Sequence, residues 1–199
     1  MNSLNHVAFI MDGNGRWGKK KKKNRNSGHL EGVNTVKKIV EASIKLKIPF
    51  ISFYVFSTEN WKRPKNEINF LFNLVSSYFL KELETVIKNG IKINIIGEIS
   101  KLPKKLKKIL KKTMEKTKNN KKIEVILALN YGSKKELINA FNKIDKKKIT
   151  EKLIIKNLYT NKIPDPEILI RTGGKKRLSN FMLWQLAYSE LYFLNKLWP

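Results

Sequence analysis

Val7-Ala8-Phe9-Ile10-Met11 runs directly into Asp12-Gly13-Asn14-Gly15-Arg16-Trp17-Gly18. Five consecutive apolar residues read as a buried strand, and the polar stretch with three glycines that follows reads as a loop from Asp12 to Gly18. Beyond it, Leu30, Val33, Val36, Val40 and Ile44 keep helical spacing and predict a helix over His29–Leu46. The same strand–loop–helix order returns. Phe50–Phe56 is a second strand, Ser57–Asn66 a loop, and Glu67–Lys88 a helix with its apolar face at Ile68, Leu71, Phe72, Val75, Phe79, Leu83 and Val86. Asn89-Gly90 stops that helix before a strand at Ile91–Ile96. Pro103–Lys118 is a lysine-laced amphipathic helix, Ile123–Leu129 a strand, and Lys134–Ile144 and Thr150–Leu158 helices. A strand at Ile168–Ile170, a short helix at Phe181–Ala187 and a strand at Glu190–Phe193 complete the pattern. Alternation of this kind predicts an α/β fold: one mostly parallel, six-stranded sheet flanked by helices, in a single domain over 1–199.

In such sheets ligands lie beyond the carboxyl ends of the strands. Asp12, Ser57 and Arg171 each follow a predicted strand directly, so the three polar stretches they open are expected to meet at one edge.

Composition narrows what those stretches do. The chain carries a formal charge of +26, which invites a nucleic-acid reading. Yet only five of the 42 basic residues are arginine (Arg16, Arg25, Arg63, Arg171 and Arg177), while lysine is spread through nearly every segment. The lysine runs at 19–23, 104–112 and 146–148 contain no aromatic residue, unlike the interleaved faces that bind single strands. The arginines cluster in the Gly-, Asn- and Trp-containing stretches. A guanidinium holds phosphate oxygens with a planar fork that an ammonium lacks, so their location points to oxyanion binding. With no cysteine, disulfides, thiolate metal sites and a cysteine nucleophile are excluded. No uncharged stretch approaches the roughly 20 residues of a membrane helix, and no charged-then-apolar leader precedes the first strand. A soluble, at most peripheral, protein is expected.

The first polar stretch offers glycines that let backbone N–H groups approach phosphate, a following helix N-terminus, and in Asp12 a carboxylate for Mg2+. It lacks the endings of both common nucleotide-binding loops. A simple Asn/Gly turn is the competing structural reading. Arg25 and His29 lie just downstream. The second stretch, Ser57-Thr58-Glu59-Asn60-Trp61-Lys62-Arg63, packs hydroxyls, a carboxylate, an amide, an indole and a guanidinium into one loop. The third, Arg171-Thr172-Gly173-Gly174-Lys175-Lys176-Arg177-Leu178-Ser179, places two arginines and a serine around a Gly-Gly turn, a composition suited to clamping a diphosphate. Glu190 follows as a second carboxylate.

Together these blocks (His6 to Trp17, Phe56 to Pro64, Asn130-Tyr131-Gly132 and Arg171 to Pro199) resemble the signature of the cis-prenyltransferase family, of the undecaprenyl diphosphate synthase type, over nearly the whole chain. The resemblance implies an enzyme that adds isopentenyl diphosphate units to an allylic diphosphate such as farnesyl diphosphate. Its product would be a long polyprenyl diphosphate, expected to be undecaprenyl diphosphate for the cell-wall lipid carrier. It implies Mg2+ held by Asp12 and Glu190. It implies an allylic diphosphate held by Gly13, Asn14, Gly15 and Arg16 with Arg25 and His29, Trp17 lying beside it. Ser57, Thr58 and Glu59 would line the condensation site, Trp61 and Arg63 would flank the substrate, and Arg171, Arg177, Leu178 and Ser179 would clamp isopentenyl diphosphate. Asn60 stands where the family's proton acceptor is assigned; a neutral amide is a poor base, and orienting a diphosphate oxygen or water is the alternative. The face of the Glu67–Lys88 helix is the expected wall of a chain-holding tunnel.

By the same resemblance the protein is expected to be a cytoplasmic homodimer that does not bind nucleic acid and touches the inner membrane surface at most peripherally. Departures are Ser133-Lys134, where the family often has Gly and Arg, a short segment from Asp145 to Pro166, and a stop at Trp198-Pro199 where relatives continue into a helical tail. A non-catalytic subunit of the same fold would be expected to lose the metal carboxylate or the clamp arginines, and all are present.

Overall fold

A computed structural model describes residues 4–22, 24–145 and 149–199. Met1–Ser3, Lys23 and Lys146–Lys148, the last two parts of lysine runs, lie outside the described residues. Strands and helices alternate as β1 (His6–Ile10), α1 (Asn14–Lys22), α2 (Arg25–Lys45), β2 (Phe50–Ser57), α3 (Lys65–Lys88), β3 (Ile91–Ile96), α4 (Lys104–Thr117), β4 (Ile123–Tyr131), α5 (Ser133–Phe141), α6 (Glu151–Asn157), β5 (Ile168–Arg171) and β6 (Glu190–Phe193). The six strands form one sheet in the order β3-β4-β2-β1-β5-β6, and every neighbouring pair is parallel.

The period of two along each strand sorts the core into two layers. Val7 and Phe9 of β1 join Ile51, Phe53, Val125 and Leu127 on one face, beneath Val40 of α2, Phe72 and Phe79 of α3, and Leu106 and Leu110 of α4. Ala8 and Ile10 join Ile126, Ala128 and Leu169 on the other, beneath Phe181, Met182 and Leu186. β1 is where the order turns: β2, β4 and β3 lie to one side, β5 and β6 to the other. A doubly wound sheet opens a crevice at that point, beyond the carboxyl ends.

Three local expectations need correction. Asp12–Gly18 is a loop only as far as Gly13; α1 starts at Asn14 and carries the described part of the first lysine run, with Lys19–Lys22 in its last turn. The glycines that suggested a loop instead serve a close helix crossing. A Cβ on Gly18 would lie 2.7 Å from the backbone nitrogen of Gly28, and one on Gly28 only 1.9 Å from the Asn14 carbonyl oxygen. α2 starts earlier than predicted, at Arg25, because Asn24 caps it by accepting from the Ser27 N–H at 2.8 Å. The loop after β2 contains one 3-10 turn, Thr58–Lys62. Phe181–Ala187 is a set of turns and no helix; Ser179, Asn180 and Met182 have φ of 51°, 63° and 43°, which breaks the helical path.

Candidate active site

Beyond the carboxyl ends of β1, β2 and β5 the three polar stretches meet. Asp12 leaves β1 and is gripped by two guanidinium groups: Arg16 Nη2 donates to Oδ1 at 3.1 Å and Arg171 Nη2 to Oδ2 at 3.0 Å. Arg171, the last residue of β5, is only 3% exposed. It also donates to Ser179 Oγ at 2.7 Å and to the Arg177 carbonyl, which ties the Gly-Gly clamp loop to the sheet. Arg16 donates to the Gly173 carbonyl at 2.8 Å from the other side. The Asp12 backbone is pinned as tightly. Its carbonyl accepts from Thr172 Oγ1 at 2.7 Å and from the Trp198 N–H at 3.0 Å. Gly13 adopts φ +121°, with Leu197 and Trp198 packed where a side chain would project. The N-terminal N–H groups of α1 begin immediately after, an anion-binding feature of helix starts.

A second charged cluster faces this one from α2 and α3. Glu67 Oε1 accepts from both Arg25 Nη2 and Arg63 Nη1 at 3.2 Å, with His29 Nε2 at 3.9 Å. Burial alone would raise the Glu67 carboxyl, but the hydrogen bond and charge of Arg25, with the charge of Arg63, outweigh it and the net shift is downward. His29 is lowered to about 4, first by burial and then by the positive Arg63 and Arg25. It is therefore neutral near pH 7, and its buried Nε2 has no hydrogen-bond partner among the described residues. This is a polar atom left open for a ligand.

Between the clusters begins a cavity of about 1120 Å3. Asp12, Asn14, His29, Ser57, Glu59, Asn60, Arg63, Arg171, Arg177 and Ser179 all border it, so the convergence expected from strand order is realised. Gly13, Gly15, Arg16, Trp17, Arg25, Thr58, Trp61 and Leu178 do not line it, although Arg16 pairs with the lining Asp12 and Arg25 shares Glu67 with the lining Arg63. Trp61 packs on Phe56 and Phe72 and donates its indole N–H to Asn130 Oδ1 at 2.7 Å, while Leu178 packs against the second core layer. Asn60 Oδ1 accepts from the Ser57 N–H at 3.2 Å, so that oxygen caps the 3-10 turn. Glu190 is not brought to Asp12. It opens β6 level with Ile168, about 10 Å down the strands from Arg171 and about 10 Å across from β1. A parallel strand carries its first residue to the amino edge of the sheet, away from Arg171.

Below the mouth the cavity is apolar, walled by Val33, Val36, Val40 and Ile44 of α2 as much as by Leu71, Val75 and Phe79 of α3. Only the α3 wall was expected. Trp198 also lines it, donating its indole N–H to the Gly32 carbonyl at 3.1 Å. Two supporting carboxylates were missed. Glu67 looks in sequence like any first-turn acid. Glu136, buried in α5, accepts from Tyr131 Oη at 2.5 Å, from the Tyr159 N–H and from Gln185. Burial pushes its carboxyl up, and these three hydrogen bonds hold part of that back. It fixes the Asn130-Tyr131-Gly132 block, whose following residues bind the clamp loop: Ser133 N–H donates to the Asn180 carbonyl at 2.8 Å and Lys134 N–H to its side chain at 2.9 Å.

The donor set suits Mg2+ bound through substrate. Among the described residues no group of three or more His, Asp or Glu could hold a metal alone. Mg2+ is ordinarily held by one or two carboxylates together with phosphate oxygens and water. Asp12 is partly exposed, at 30% of its side chain, and each of its oxygens accepts from one arginine, which leaves lone pairs for a cation.

Comparison with known proteins follows the same lines. Residues 10–199 match the family described as "Putative undecaprenyl diphosphate synthase". The isoprenyl transferase of Oceanobacillus iheyensis is 44% identical, over 100% of this chain and 82% of its own length. That of Treponema denticola is 45% identical, over 98% and 88%. Among solved structures, lavandulyl diphosphate synthase from Lavandula x intermedia, in complex with dimethylallyl diphosphate, superposes with a TM-score of 0.93 at 32% identity, covering 98% of this chain and 88% of that one. A probable undecaprenyl diphosphate synthase from Campylobacter jejuni does so with a TM-score of 0.81 at 38% identity, covering 97% and 86%. A chain whose fold and sequence both agree with these relatives belongs to the undecaprenyl diphosphate synthase family and is a cis-prenyltransferase.

Proposed function

We propose that this enzyme condenses isopentenyl diphosphate repeatedly with an allylic diphosphate, farnesyl diphosphate for preference, to a long cis-polyprenyl diphosphate of the undecaprenyl class that serves as cell-wall lipid carrier. The observation that carries this reading is one cavity with an arginine-rich mouth and an apolar interior. Its volume of about 1120 Å3 exceeds the roughly 300–1,000 Å3 usual for small-molecule pockets, as a lengthening hydrocarbon requires.

In this reading the α1 N-terminus, Asn14, Arg16 and the neutral His29 hold the allylic diphosphate, with Arg25 and Arg63 adding positive charge. Arg177, which is exposed and has no carboxylate partner among the described residues, and Ser179 hold isopentenyl diphosphate. Arg171 positions both the clamp and Asp12. Asp12 would hold Mg2+ against diphosphate oxygens, where the ion supplies charge that stabilises the leaving diphosphate. The arginines do the same while cationic character develops at the allylic carbon. The double bond of isopentenyl diphosphate attacks that carbon, and loss of a proton sets the new cis double bond. Diphosphate itself is the stronger base within reach; Asn60 orients it. The hydrocarbon then advances between α2 and α3, away from water.

A second copy of the chain suits the exposed edge of β6, where Tyr188, Leu191, Tyr192 and Leu194 are unprotected, and a homodimer is part of the reading. So is a cytoplasmic enzyme in peripheral contact with anionic lipid, since the product must reach a bilayer. Purified protein incubated with farnesyl diphosphate, labelled isopentenyl diphosphate and Mg2+, with the products sized, tests the whole. Labelled chains of many isoprene units are expected, and none with EDTA. A product that stops after one addition would overturn chain elongation.

A further inference from the structure

The far end of the cavity lies at the amino edge of the sheet, where Lys45, Asn89 and Lys122 border it and all three are exposed to solvent. Three turns converge there. Lys45-Leu46-Lys47 ends α2, Lys88 ends α3, and Lys118, Lys121 and Lys122 precede β4; all six lysines are exposed. The turns brace one another, Asn120 Nδ2 donating to the Ile91 carbonyl at 2.8 Å and the Lys122 N–H to the Gly90 carbonyl at 3.0 Å. Lys118 pairs with Glu115, but among the described residues Lys45, Lys47, Lys88, Lys121 and Lys122 pair with no carboxylate. Of the acids on this side, Glu84 and Glu115 already face Lys116 and Lys118, and Glu124, at the start of β4, pairs with Lys92 at 2.8 Å. Leu46, flanked by two of these lysines, is 71% exposed. Lys47 has φ 58°, a left-handed conformation that glycine adopts without strain, so the chain bears that strain with a cation at the tip. The amino edge of β5 and β6 carries Asp165, Glu167 and Glu190 instead.

We infer that the amino edge of the β2–β4–β3 half of the sheet docks on an anionic lipid bilayer, with Leu46 entering the interface and the cavity's far end opening at the membrane. Its purpose rests on the proposed hydrocarbon product; its test does not. Lipid is favoured over nucleic acid because this edge has no arginine and no exposed aromatic for phosphate forks or base stacking. The face also lies across the sheet from the β6 edge, so a second copy seated there leaves it free.

Co-sedimentation of the full chain with phosphatidylcholine vesicles, with and without phosphatidylglycerol, decides. Binding is expected only with phosphatidylglycerol and should vanish near 1 M salt, where the Debye length is about 3 Å. Each lysine is expected to contribute about fivefold in partition, so Lys47→Glu, Lys88→Glu and Lys121→Glu together should weaken it by about a hundredfold or more. Reversing Lys104, Lys105 and Lys112, at the other end of the lysine-rich layer and in its helix, should matter far less. Leu46→Ser, which alters no charge, should weaken it severalfold. Prenyl transfer measured without vesicles should be unchanged in the Lys47/Lys88/Lys121 variant. No binding to anionic vesicles at low salt overturns the inference, as does equal loss in the two triple variants, or binding to RNA in place of lipid. Lysine-dependent vesicle binding by a protein that makes no polyprenyl product would leave the docking face standing and remove the proposed function.

Discussion

Two clusters at the cavity mouth are built alike, each a single carboxylate between two arginines, yet they differ in what the carboxylate has left to give. Asp12 meets Arg16 and Arg171 with a different oxygen each and remains partly exposed. Glu67 meets Arg25 and Arg63 with the same oxygen and is 11% exposed. The first carboxylate keeps acceptor capacity toward the cavity and suits a cation bridged to substrate; the second is spent on holding two guanidinium groups side by side against their repulsion. Four of the five arginines are thus placed by two acids, and among the described residues only Arg177 is left without one.

Asp12→Asn should break the comparison most sharply. The shape and one acceptor remain while the charge goes, and kcat should fall by about three orders of magnitude with a folded protein by circular dichroism. Asp12→Ala would be a poorer test, because it strands the buried Arg171 charge at a cost of about 3–5 kcal/mol. Steady-state kinetics that leave Asp12→Asn near wild type would remove Asp12 from the chemistry.

Acid should strike the Glu67 side first. His29, beside Arg25 and Arg63, is lowered to about 4 from an ordinary 6.5. Between these values the unfolded chain binds more protons than the folded one, so stability is complete above 6.5 and is lost as pH falls through the window. Urea unfolding at pH 7 and pH 5 should show His29 alone contributing a loss of about 2 kcal/mol, absent in His29→Asn. His6, lowered to about 4 chiefly by burial, acts in the same direction and remains in both proteins.

Arg171→Lys keeps the charge beside Asp12 but cannot reach Asp12, Ser179 and the Arg177 carbonyl together. The KM for isopentenyl diphosphate should rise by about tenfold, whereas Lys175→Ala and Lys176→Ala, both exposed, should change it little. Equal effects from all three would mean that only net charge matters. The smallest effect is expected from Glu67→Gln. With Arg25 45% and Arg63 35% exposed, solvent screens the pairs, and a stability loss of at most about 1 kcal/mol is expected. The KM for the allylic substrate should shift only severalfold, and a loss rivalling Asp12→Asn would erase the distinction between the clusters.

The strands were legible because a parallel sheet buries both faces and leaves apolar runs, and their carboxyl ends located the site. Arginine scarcity was legible for a chemical reason, since lysine can replace arginine at exposed positions but not at a fork. What failed shares one cause: a short sequence does not say what lies opposite it. Gly15, Gly18, Gly28 and Gly32 read as turn or filler until two helices are seen crossing on them. Glu190 reads as close to Arg171 until β6 carries it to the other edge. Glu67 and Trp198 have ordinary neighbours in sequence and act on distant partners.

The last of these contacts orders the enzyme's assembly in time. Asp12 lies near the start of the chain, and the N–H that fixes its carbonyl belongs to Trp198, nearly the full length of the chain away. On a ribosome, β1 and its carboxylate emerge early, and chain growth of about 5–20 residues per second separates them from their fastening by many seconds. During that interval Gly13 lacks the roof of Leu197 and Trp198, and the charged mouth is unformed. The Asp12 carbonyl and Gly13 therefore gain their fastening only after most of the intervening chain has been made.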